Sequence, residues 1–113
     1  MGNKSQKPIN PESSASDKIF NMIFDFKMMA KEFEKNSRKS QNEENLIKFK
    51  VKQAIEKNDM KVAQMYASDA IRKKNESRKY QNLSFKIDAI HDRLKNAYKT
   101  QKVIFYLFLN KKV

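Results

Sequence analysis

Cysteine and tryptophan are absent from this chain, and it holds one glycine, Gly2, one histidine, His91, and two prolines, Pro8 and Pro11. Each scarcity excludes something. Without cysteine there are no disulfides and no thiolate metal ligands, which fits a reducing compartment, and a lone His91 builds no zinc site. No cofactor and no metal is implied. A glycine-rich phosphate loop is excluded by the same count. From Glu12 onward neither Gly nor Pro interrupts a helix, so long helices are expected. The longest late apolar run, VIFYLFL at 103–109, falls far short of the roughly 20 residues a spanning helix needs. The polar N-terminus lacks the features of a secretory signal. A soluble or peripheral protein is expected.

What is present narrows the class further. A chain of 113 residues has room for one small domain with a modest core. Its charged share of 34% and mean hydropathy of -0.89 are extreme for a globule. Its hydrophobic share of 39%, with eight Phe and six Met, is too high for a wholly disordered chain. Extended helices with narrow apolar stripes satisfy both. The formal charge of +12 predicts an anionic partner, either phospholipid head groups or nucleic acid, and charge alone does not choose between them.

Residues 1–15, with both prolines and no apolar period, read as a flexible, disordered tail. Ser14 or Ser16 is placed to cap the helix that follows, with Asp17 in its first turn. Ile19, Ile23, Phe26, Ala30, Phe33, Ser37, Ser40, Glu44, Ile47, Val51 and Ala54 then alternate spacings of four and three. Sustained spacing of that kind is the seam of a helix packed nearly parallel to another. The seam turns polar at Ser37, Ser40 and Glu44, where loose or wet packing is expected. Asn58 tolerates the left-handed conformation that ends a helix, and Asp59 can cap the next. A second seam runs through Ala63, Tyr66, Ala70, Lys73, Ser77, Tyr80, Ser84, Ile87, His91, Leu94 and Tyr98, with Lys73 as its clearest flaw. So short a connection returns the helices antiparallel. The predicted fold is all-α: a flexible tail over 1–15, a long two-helix hairpin over 16–102, and an apolar and basic C-terminal tail over 103–113.

Candidate surfaces follow from what a single seam cannot cover. Phe20, Phe24 and Met28 belong to a stretch of the first helix that is apolar nearly all round, so they are read as contacts with a further segment of chain, a neighbouring subunit or lipid. Lys27, Lys31, Lys35, Arg38 and Lys39 recur on the outer face, where the bland reading is a solvated surface and the functional one is membrane binding. Arg72, Lys74 and Arg78, with Lys73 and Lys79 between them, form a second cluster that would face lipid or pair with acidic residues of a neighbouring subunit. Glu34 to Arg38, Glu44 to Lys48 and Asp69 to Lys73 are the evident neutralising pairs. His91 beside Asp88 and Asp92 has no nucleophile near it in sequence, and Tyr66, Tyr80 and Tyr98 sit on the seam, unlike base-stacking aromatics. A non-enzyme is expected. Gly2 is a candidate for myristoylation, although the pattern asks for Ser or Thr at position 6, where Gln6 stands.

The order of residues over roughly 19–103 resembles the ESCRT-III family of charged multivesicular body proteins, most closely its type 1 branch. In the second helix the resemblance rests on Met60, Val62, Ala63, Ala67, Ala70-Ile71-Arg72, Lys74-Asn75, Ser84, Asp88-Ala89, Arg93 and Ala97. In the first it rests on Ala30-Lys31-Glu32-Phe33, Asn36-Ser37-Arg38-Lys39 and Glu43-Glu44, at the family's distance from the helix break. The resemblance implies a cytoplasmic subunit, peripheral on endosomal membranes, that assembles with itself and other ESCRT-III subunits to remodel and sever membrane in multivesicular body formation. Family members also carry an acidic C-terminal half and a short helix that docks on an AAA ATPase. Residues 103–113 match neither, so a truncated or misspliced form and a lack of ATPase docking are expected. The alternatives are a passive coiled-coil scaffold and a basic helical nucleic-acid binder; the ordered match supports neither of these.

Overall fold

The computed structural model describes residues 11–111. They form two helices, α1 (Pro11–Glu56) and α2 (Met60–Lys111), in an all-α hairpin as the breaker-free sequence predicts. Both helices are longer than expected at the open end. Pro11 opens α1, a position where its missing N–H costs nothing and its fixed φ suits a helix. Ser14 and Ser16 therefore lie inside α1 and not at its first residue, and residues 11–15 leave the expected tail. Residues 103–111 continue α2, because VIFYLFL contains no breaker and follows a helical stretch without interruption. Gly2 and the rest of the expected tail lie outside the described residues.

The chain divides into two compact units, one of Met29–Ile87 and one of the residues up to Met28 with those from Asp88 on. The first contains the turn. Asn58 adopts a φ of 62°, the left-handed conformation that Asn tolerates better than most residues. Around it the Asp59 amide donates to the Ala54 carbonyl at 2.9 Å and the Asn58 amide to the Ile55 carbonyl at 2.9 Å. Those two bonds satisfy carbonyls that the end of α1 would otherwise leave open, in the Schellman arrangement. Asp59 then caps α2: its Oδ1 accepts from the Val62 amide at 3.2 Å and its carbonyl accepts the first helical bond, from Ala63 at 3.0 Å.

Within this unit the predicted seam residues are the buried or half-buried ones, and the intervening positions are mostly exposed. The core proper is made of Ala30, Ala54, Ala63 and Ala70. Small side chains let the two backbones approach closely, and Phe33 and Tyr80 fill the wider space between them with ring centroids 6.2 Å apart. The polar part of the seam is closed, contrary to the expected loose packing. Ser37 Oγ donates to the Ser77 carbonyl and Ser77 Oγ to the Ser37 carbonyl, each at 3.0 Å, while Ser84 Oγ donates to the Ala30 carbonyl at 3.0 Å. Each of these hydroxyls satisfies a carbonyl of the opposite helix directly.

The second unit follows the same rule with less burial. Ile19, Ile23 and Phe26 of α1 and Leu94 and Tyr98 of α2 are half-buried, and His91 is its buried polar residue. Phe20 meets Tyr98 with ring centroids 6.3 Å apart, and the Lys102 ammonium lies 5.2 Å from the Tyr98 ring centre.

Candidate functional site

The outer face of α1 is built by spacing: side chains four and three residues apart stack on one side of a helix. In the unit of Met29–Ile87, Lys31, Lys35, Arg38 and Lys39 are all exposed. Arg38 spends part of its charge on Glu34, 3.3 Å away, in a solvent-exposed pair of little worth to stability. Lys31, Lys35 and Lys39 have no carboxylate within 4.0 Å among the described residues. Lys35, Arg38 and Lys39 also line an open surface depression of about 670 Å³. In the other unit Lys27 differs from the expected free cation, since its Nζ lies 3.3 Å from Asp88 Oδ1 on α2. That pair is half-exposed and ties the two helices together.

The seam carries a second cluster that the sequence pattern did not reveal. Lys73, the apparent flaw, points at α1 and meets Glu43 at 2.9 Å and Glu76 at 3.2 Å. Ser40 Oγ donates to the same Glu76 carboxylate at 3.0 Å. Hydrogen bonds from Lys73 to Glu43 first and Glu76 second hold the Lys73 ammonium above its ordinary range. The Ser40 hydroxyl, and after it Lys73, hold the Glu76 carboxyl below its own. The available signals were Glu43 beside a seam position and Glu76 one turn after Lys73. The expected pair of Asp69 with Lys73 is replaced: Asp69 meets Arg72 at 2.6 Å, because a seam lysine faces the opposite helix instead of its own surface. Glu44 is buried yet reaches Lys48 at 3.1 Å, as the spacing predicted.

Among the residues expected to contact neighbours, Phe20, Phe24 and Met28 are 57%, 60% and 51% exposed. Lys74 and Arg78 are exposed on α2 without a carboxylate within 4.0 Å among the described residues, whereas Arg72 is engaged by Asp69. Met65, Ile71 and Phe85 are further exposed apolar side chains that no seam pattern flags. His91 Nδ1 lies 3.2 Å from Asp92 Oδ1. Among the described residues no group of three or more His, Cys, Asp or Glu converges on a metal site. The chemistry on offer is that of surfaces: a basic face, a second basic cluster and uncovered apolar side chains.

No family model matches the chain. It is 46% identical over 79 residues to ESCRT-related protein CHMP1B of Arabidopsis thaliana, a match covering 70% of this chain and 39% of that protein. It is 41% identical over 83 residues to charged multivesicular body protein 1 of Dictyostelium discoideum, covering 74% of this chain and 43% of that protein. Human charged multivesicular body protein 1b is 38% identical over 68 residues, 60% of this chain and 34% of its own length. The matches thus span less than half the length of these curated relatives. A two-helix hairpin with these matches is of the ESCRT-III class. Within that class the chain belongs to the charged multivesicular body protein 1 branch.

Proposed function

We propose that the protein is a non-catalytic, assembling subunit that binds anionic endosomal membrane peripherally and takes part with other ESCRT-III subunits in membrane remodelling and scission during multivesicular body formation. The observation that carries this reading is the set of three outward lysines, Lys31, Lys35 and Lys39, left without carboxylates among the described residues on a hairpin whose seam is otherwise closed on itself. A cation near an anionic leaflet gains about 1 kcal/mol, so three acting together strengthen binding by about a hundredfold. Arg38 adds to the face by exchanging its exposed carboxylate partner for lipid phosphate, and Lys27 in the other unit is a separate proposed lipid contact of the same kind. Phe24 and Met28, with Lys74 and Arg78 on α2, are the proposed contacts with neighbouring subunits. Among the described residues no helix is long and apolar enough to cross a membrane.

The test is sedimentation with vesicles of phosphatidylcholine alone or with a third phosphatidylserine. Binding should require the anionic lipid, fall as salt is raised, and drop on the order of a hundredfold in K31A/K35A/K39A. Binding that ignores both salt and these substitutions overturns the assignment of the face. Tighter binding to duplex DNA at the same salt would favour a nucleic-acid partner instead.

A further inference from the structure

The end of α2 is apolar on every side. Residues 103–109 are each between 41% and 65% exposed. Seven consecutive helical residues sweep nearly two turns, so no azimuth of this segment is polar. A partner helix covers one stripe and leaves the rest in water. Among the described residues, the helices flank a groove of about 810 Å³ to which this segment contributes Ile104, Phe105 and Phe108 and α1 contributes Ser16 and Asp17. An occupant that suits this segment must surround it.

Charge decides the occupant. From Arg93 to Lys111 the chain carries Arg93, Lys95, Lys99, Lys102 and Lys111 and no Asp or Glu. A second copy would bring the same sign, whereas an anionic leaflet supplies both complementary charge at its surface and apolar medium on all sides. At 1.5 Å per residue the seven residues reach about 10 Å, the depth of the headgroup and upper acyl region, and too little to span. Lys102 and Lys111 bracket the run, and lysines at such positions extend their ammonium groups back to the phosphates. Tyr106 supplies an aromatic ring with a polar tip suited to the same boundary.

We infer that residues 103–109 of α2 insert into one leaflet of an anionic bilayer, a second lipid site separate from the basic face of α1. The inference rests on the membrane reading above, and its test separates the two. The absence of cysteine permits single-site labelling. Leu107→Cys carries an environment-sensitive fluorophore; Met65→Cys, an equally exposed apolar site in the other unit, is the control. Vesicles of phosphatidylcholine with a third phosphatidylserine should raise emission severalfold and shift it to the blue at position 107, with little change at 65 and none with phosphatidylcholine alone. I104D/L107D should lower sedimentation severalfold with unchanged helix content by circular dichroism. If the labelled protein sediments and position 107 stays unchanged, the insertion is overturned and the basic-face reading stands. If the native chain does not sediment at all, both fall. If emission rises with protein concentration in the absence of vesicles, a second copy covers the segment and the inference is wrong.

Discussion

Lys73 shows how a single residue reverses its meaning once its neighbours are in place. A lysine on an apolar seam reads as a defect, yet here it holds Glu43 on one helix and Glu76 on its own. Its raised pKa means that its contribution is whole below the ordinary value of 10.5 and fades as pH climbs through the raised one. The lowered pKa of Glu76 means that its contribution is whole above 4.5 and fades as pH falls through the lowered value. The cluster therefore supports the hairpin across the neutral range and weakens at either extreme. We expect E76Q to melt a few degrees lower than the native chain at neutral pH, since both side chains are partly open to solvent and screened. The gap should close as pH falls below 4.5, as followed by circular dichroism. A gap independent of pH would show that Glu76 acts by shape alone. None of this was legible from spacing, because a pattern of apolar and polar letters records where a side chain starts and not which charge lies across the gap. The serines misled in the same way. Ser37 and Ser40 read as weak packing, while their hydroxyls reach a carbonyl and a carboxylate on the other helix.

The helices themselves were far more legible. Two continuous seams and a single Asn-Asp break lead to one hairpin, and the turn lies at residues 57–59. Asn58 is the position on which this turn depends, for its left-handed φ would bring a β-branched side chain against its own backbone at about 1–2 kcal/mol. Asn58→Val should lower the thermal midpoint by several degrees, whereas Asn58→Gly should leave it nearly unchanged. Equal melting of the two would mean that the turn tolerates a different backbone path. What the sequence concealed was where the helices stop. At the turn a positive φ and a side-chain cap mark the boundary chemically. At the other end Pro11 opens α1, and α2 runs on to Lys111 through residues that carry no breaker.

At the scale of the molecule, the core is four alanines and no side chain is fully buried among the described residues. So little apolar burial leaves an isolated hairpin marginal, and partners that bind only the folded form raise its apparent stability by mass action. The melting temperature should rise with protein concentration, and rise again with anionic vesicles. Scans over a wide concentration range check this; a midpoint that does not move would mean that the hairpin is self-sufficient. The turn also sets an order in time. Ala54 and Asp59 lie five residues apart in sequence, Ser37 and Ser77 forty, and Phe20 and Tyr98 seventy-eight, so each successive contact closes a longer loop. On loop-closure entropy alone we expect such a pairing to close like a zip from a fixed stop, with Asn58 and Asp59 first and the Phe20–Tyr98 contact after them. When it loosens, the sequence is expected to run backward, with the Phe20–Tyr98 contact parting first.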